Sequence, residues 1–92
     1  MNVTVEYAAQ VKKAAGIASE SLDVADAATA QDVVRQVART HGGGLAELII
    51  DGDDNLHPSI LLFVGDDQVA WNLPVTLRDR DVVTILSPVS GG

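Results

Sequence analysis

One stretch of this 92-residue chain carries the pattern of a long amphipathic helix, and that limits what the rest can do. Ala30, Val33, Val34, Val37 and Ala38 recur at helical spacing, which gathers them on one face. Gln31, Arg35, Gln36 and Arg39 take the other face. Thr29 precedes the run as an N-cap, and Asp32 stands in the capping-box position, where an acid also complements the helix dipole. The helix is expected to stop near His41, because Gly42-Gly43-Gly44 cannot sustain it. A single apolar stripe must be buried against another element, and most of the other apolar segments read as strands.

Residues 2–7 alternate with period two and are rich in β-branched side chains, so they predict a first strand. Residues 9–15 predict a short helix closed by Gly16. Residues 20–24 alternate again and should pair back on the first strand. Residues 45–50 fit either another helical turn or an extended segment, and Asp51-Gly52-Asp53-Asp54-Asn55 is a polar turn. Residues 60–64 form an apolar run expected of a strand, turned by Gly65-Asp66-Asp67 into a short return strand at 68–71. Pro74 lies in a connection, Arg78-Asp79-Arg80-Asp81 is a charged turn, and residues 82–86 make the last strand. The order predicts an α+β fold, with a mixed sheet curled around one main helix. The last strand is expected beside the first, in parallel, at the sheet centre.

Ninety-two residues support one core and leave little room for an internal cleft. The absence of cysteine excludes disulfides, thiolate metal sites and a cysteine nucleophile. No stretch reaches the roughly 20 apolar residues of a membrane span, and the first residues carry no basic signal region, so a cytoplasmic protein is expected. A net charge of −7 disfavours nucleic acid and favours a basic partner surface.

The remaining candidates are weak. Asp51-Gly52-Asp53-Asp54-Asn55 starts like a calcium loop, but Leu56 and Leu62 occupy the positions that need glycine and a bidentate acid. His41 and His57 lack ligand spacing, and His41 suits a helix C-terminus as a cation. Ser87 and Ser90 have no apparent base, and the glycine triplet lacks the lysine of a P-loop. No metal site is expected. Trp71 reads as a core residue at the helix–sheet interface, or alternatively as a partner anchor. Val3, Leu62 and Val64 carry the same two readings.

The sequence ends in Gly91-Gly92, directly after the last apolar strand and Ser87-Pro88-Val89-Ser90. Glycine has no Cβ, so such a thread can pass through a channel too narrow for side chains. This ending, Tyr7-Ala8-Ala9-Gln10-Val11-Lys12-Lys13-Ala14-Ala15-Gly16, and residues 76–92 as a whole resemble the β-grasp (ubiquitin-like) sulfur carriers of the ThiS/MoaD group. The closest resemblance is to molybdopterin synthase small subunits. Arg80 stands where that family commonly has the glycine of Asp-Gly-Asp, and Gly65-Asp66-Asp67 replaces its Asn-Gly or Asn-Asp turn. The longer stretch at 45–58 is more similar to carriers serving cysteine synthesis.

The resemblance implies a β-grasp domain over residues 1–87 and a tail over 88–92. It implies that the Gly92 carboxylate is adenylated by an E1-like enzyme using ATP and Mg²⁺, then converted to a thiocarboxylate. Gly91 would give passage, and Pro88, Val89 and Ser90 the stem at the partner's channel mouth. Val3, Leu62, Val64 and Trp71 would serve in docking if they face outward. The carrier would be a cosubstrate without turnover or bound cofactor of its own. Its sulfur would pass to the large subunit of molybdopterin synthase, or alternatively to a cysteine or thiamine synthase. Conjugation to lysines, as by a ubiquitin-like modifier, is a further alternative.

Overall fold

The structure is a computed structural model that describes residues 1–88. It contains β1 (Asn2–Ala9), α1 (Gln10–Ala15), β2 (Ser19–Asp23), α2 (Ala30–His41), α3 (Gly43–Ile49), β3 (Leu61–Val64), β4 (Asp67–Gln68) and β5 (Val82–Ser87). The sheet order is β2-β1-β5-β3-β4. β5 pairs with β1 in parallel, with Val5 opposite Val83 and Tyr7 opposite Ile85. The other pairs are antiparallel. This is the expected mixed sheet with the last strand at its centre.

Period-two alternation sorts the strands into two faces. Val3, Val5 and Tyr7 of β1, Leu62 of β3, and Val83 and Ile85 of β5 are buried on the helix side. They meet Ala30, Val33, Val34 and Val37 of α2 in one core. Burying a side chain of this kind stabilises by roughly 1.5–3 kcal/mol. Thr29 caps α2 as expected: its Oγ1 accepts from Asp32 N at 3.1 Å, and its own N–H donates to the Asp32 carboxylate at 3.0 Å. Gly16 ends α1 in the left-handed conformation, with its N–H donating to Lys12 O.

Two expectations are corrected, one for Gln31 and one for the short return strand. Gln31 is buried, although periodicity assigned it to the polar face. Its Nε2 lies within hydrogen-bonding distance of the carbonyls of Ala70, Trp71 and Leu73, and its Oε1 accepts from Val75 N at 3.3 Å. This side chain pins the connection before β5 to the start of α2, and an apolar-period argument cannot see a polar group satisfied by distant backbone. The glycine triplet ends α2 at His41 as expected, and the helical alternative for 45–50 is the one adopted: α3 starts at Gly43 and buries Leu45 and Ile49. The short return strand covers only Asp67–Gln68. Val69 is already buried in the core, and residues 71–73 turn away.

The 51–55 segment is the expected polar turn. Asp51 Oδ1 accepts from Asp53 N at 2.8 Å and from Asn55 N at 3.1 Å. The turn before β5 explains a departure from the family pattern. Arg80 has φ +71°, a left-handed backbone that glycine adopts without cost and arginine does not. Its N–H still donates to Asn2 O, tying the turn to β1. Arg80→Gly should therefore stabilise the fold. Relief of about 1–2 kcal/mol of left-handed strain outweighs about 0.5–1 kcal/mol of added unfolded-chain entropy. A raised urea midpoint with an unchanged slope is the expected result.

Candidate functional site

β5 ends at Ser87, paired with Ala9 of β1, so the chain leaves the sheet from its central strand. Ser87 is buried at this exit, and Pro88 is exposed. Gln10, Leu48, Ser59, Ser87 and Pro88 line a small recess of about 140 Å³ there. Val89, Ser90, Gly91 and Gly92 lie outside the described residues. The expectations placed on them, and the tail as a separate unit, are thus carried forward from the sequence.

Three of the docking candidates, those in the strands, face the core. Val3 and Leu62 are 0% and 1% exposed and belong to the core. Val64 pairs with Val83, which puts it on the same inward face, and it packs against the core from the sheet's end. Trp71 also packs against the core. The Arg35 guanidinium lies over its ring at 5.0 Å, and its Nε1 donates to Asn55 Oδ1 at 3.1 Å. Arg35 Nε in turn sits 3.4 Å from Asp54 Oδ2. This cluster fastens the 51–55 turn to α2, which agrees with the core reading of the tryptophan.

The outward sheet face carries a different set. Leu61 pairs with Leu86, Leu86 with Ala8, and Phe63 with Thr84. All alternate with the buried residues and are only partly buried. Together they form an apolar patch running up to the point where β5 ends. Sequence reading missed Leu61, Phe63 and Leu86, although the phase was available: Val83 and Ile85 as core force Leu86 outward, and Leu62 as core forces Leu61 and Phe63 outward.

One cluster has the residue types of an acid–base site. Tyr7 Oη donates to Glu20 Oε2 at 2.5 Å, and His41 Nε2 lies 2.5 Å from the same oxygen. The Tyr7 and His41 rings meet edge to face with centroids 6.0 Å apart. Burial pushes the Tyr7 hydroxyl well above the ordinary phenol range, and the bond to Glu20 and the charge on Glu20 push it further. For Glu20 burial is the largest influence and acts upward. The hydrogen bonds from Tyr7 and His41, with the attraction of His41, outweigh it and hold the carboxyl below its ordinary value. All three groups are mutually satisfied, and the cluster braces β1 and β2 against the end of α2. His57 is engaged separately, with its Nδ1 2.8 Å from Ser59 Oγ. Among the described residues, no group of three or more His, Asp or Glu side chains could hold a metal ion. None of their helices is long and apolar enough to cross a membrane.

The sequence profile of the ThiS family matches residues 5–92. The chain belongs to the ThiS family. No curated protein matches it. Among solved structures, SAMP1 of Haloferax volcanii superposes with TM-score 0.89 at 22% identity, covering 100% of both chains, which shows the shared fold. A Pyrococcus furiosus protein provisionally named molybdopterin converting factor subunit 1 has TM-score 0.76 at 25% identity, covering 97% of this chain and 99% of its own. The matched chain of the Amycolatopsis orientalis BexX/CysO complex has TM-score 0.68 at 29% identity, covering 98% of this chain and 99% of its own. The β-grasp architecture is thus the architecture of ubiquitin-like carriers and modifiers.

The Glu20 cluster sets a pH dependence. Its carboxyl titrates lower folded than unfolded, so its contribution is complete above the unfolded value of about 4.3 and is lost as pH falls through the folded value. Urea unfolding should show Glu20→Gln less stable than the parent above about pH 5, with the gap narrowing towards about pH 3. A gap independent of pH would contradict this assignment.

Proposed function

We propose that this protein is a sulfur carrier whose Gly92 carboxyl group is activated by a partner enzyme and converted to a thiocarboxylate. The observation that carries this reading is the ThiS family match, which runs through Gly91-Gly92. A carboxylate is a poor acyl donor until it bears a good leaving group. The carboxylate attacks the α-phosphate of ATP and releases pyrophosphate. A sulfur nucleophile then displaces AMP at the carbonyl carbon. The partner supplies ATP and Mg²⁺, while this chain supplies an acyl terminus and a surface to grip. It acts as a cosubstrate.

The geometry supports that division of labour. Pro88 is exposed at the end of the central strand, and the Leu61, Phe63, Leu86 and Ala8 patch lies on the outward face of the same strands. A partner that covers this patch is placed to receive the residues that follow Pro88. We read the acceptor as molybdopterin synthase, with this chain as its small subunit. The resemblance in residues 7–16 and 76–92 supports that, as does the likeness to the Pyrococcus protein. The length of the 45–58 segment favours a second reading, delivery of sulfur in cysteine synthesis.

Expression with an E1-like adenylating enzyme and a sulfur source should add about 16 Da to the intact mass, from exchange of one oxygen for sulfur. Gly91→Val should block this gain and leave the melting temperature unchanged, since the substitution lies beyond the packed strands. Normal AMP formation by the variant would sink the mechanism, and thiol-resistant adducts on other proteins would redirect it to a modifier. Phe63→Asp should weaken binding to the activating enzyme by about tenfold or more while the domain stays folded. Undiminished binding would remove the outward face from the docking surface.

A further inference from the structure

Ser87 closes the central strand, and its hydroxyl has no partner. The β5 alternation turns it inward, where its companions in phase, Val83 and Ile85, are apolar. It is 5% exposed, and among the described residues its Oγ is enclosed without a hydrogen bond. Enclosing an unbonded hydroxyl carries a free-energy cost that alanine at this position would not incur. Ala9, its neighbour across the β1 pairing, adds a second unfavourable feature, a left-handed backbone with φ +58° that alanine avoids. Both features lie where the chain leaves the sheet, and backbone strain of this kind gathers at sites that clamp a ligand.

The recess that Ser87 shares with Gln10, Leu48, Ser59 and Pro88 holds about 140 Å³. Pockets for small-molecule ligands run to roughly 300 Å³ or more, so this one suits the head of a single side chain. Its polar groups call for a donor. Ser59 N donates to His57 Nδ1 at 3.1 Å, which makes that nitrogen the acceptor. The Ser59 hydroxyl, 2.8 Å from the same nitrogen, donates to it as well, and its oxygen is left to accept. Ser87 Oγ and Gln10 Oε1 are acceptors too. Rotation about one bond carries Ser87 Oγ between three staggered positions, so meeting an incoming donor needs no backbone change. Leu48 and Pro88 give apolar walls for the methylene stem of a long side chain. Among the described residues no charged side chain lines the recess, and the net charge of −7 draws positive groups to the surface around it.

We propose that this recess receives an arginine side chain of the activating enzyme, whose guanidinium supplies the donor that Ser87 lacks. This rests on the carrier reading of Gly92 given above. Arginine presents five N–H groups in a fixed fork and reaches several acceptors at once, whereas lysine is a point charge. Seated in the recess, the side chain grips the root of the tail at Ser87, ahead of Pro88 and the residues that follow it. The hydroxyl left unbonded in the free chain is satisfied in the complex, so its cost favours association.

Two measurements test this. In the first, methylguanidinium chloride is titrated into the full chain below its unfolding range, at constant ionic strength, and backbone amides are followed by NMR. Tetramethylammonium, a cation without N–H donors, is the control. Saturable shifts at Gln10, Ser59 and Ser87 are expected with methylguanidinium alone, and Ser87→Ala should abolish them. No shifts, shifts that tetramethylammonium reproduces, or shifts that persist in Ser87→Ala would each overturn the guanidinium site. In the second, Ser87→Ala should unfold at a urea midpoint no lower than the parent's, because it removes an unbonded buried hydroxyl. The same variant should bind the activating enzyme about tenfold more weakly. A lowered midpoint would mean that the hydroxyl is already bonded in the free chain, and undiminished binding would mean that the enzyme does not use it; either overturns the proposal. The titration needs no enzyme, and the mass gain described above reads the Gly92 chemistry separately, so either idea can fail alone.

Discussion

The parallel pairing of β1 with β5 is the contact on which the structure turns. The two strands are separated by most of the sequence, yet they form the middle of the sheet and supply Val3, Val5, Tyr7, Val83 and Ile85 to the core. Parallel neighbours need a crossover, and here the crossover is the remainder of the domain. β2, α2, α3 and β3 all lie between β1 and β5 in the sequence, and β5 sits between β1 and β3 in the sheet. The last strand is therefore the most enclosed, and whatever follows it leaves from the centre of a rigid platform. A tail rooted at an edge strand would share that strand's weaker support. Rooted at β5, it is referenced to the whole sheet.

That placement divides the molecule by task. The helix side is closed: α2 covers the sheet, Gln31 fastens the connection before β5, and Arg35 with Trp71 fastens the 51–55 turn. Even the group most like a catalytic cluster, Tyr7, Glu20 and His41, has its polar atoms turned on one another. The other side of the sheet is open, and its apolar residues sit beside the exit of the chain. A protein of this size that must be handled by enzymes benefits from such a split, because recognition then requires no rearrangement of its core.

Much of this could be read from the residues. The capping box at Thr29 and Asp32, the left-handed Gly16 and the alternation in β1 and β5 are local signals, and each has one physical solution. The order of the elements pointed to a mixed sheet around one helix, with the last strand beside the first. What could not be read were interactions between distant parts. Gln31 is polar, and nothing near it in sequence shows that carbonyls from residues 70–73 will close over it. Val3, Leu62 and Val64 went astray differently. An apolar residue in a strand faces either the core or the partner, and apolar content alone cannot separate the two. The alternation could have: once Val83 and Ile85 face the helix, the register Leu62 to Ile85 and Val64 to Val83 carries those residues inward with them.

The activation proposed for Gly92 gives the chain's own amines a chemical importance of their own. An acyl adenylate reacts with accessible amines, so the number and position of amines on a carrier shape its chemical fate. Here arginine supplies most of the positive charge, which preserves salt bridges such as Arg35 with Asp54 without offering a nucleophile. The one amine at the end of the backbone is locked against Val24 and two aspartates. Reactive nitrogen is thereby confined to one exposed helical turn, on the element that follows the strand pairing with β5.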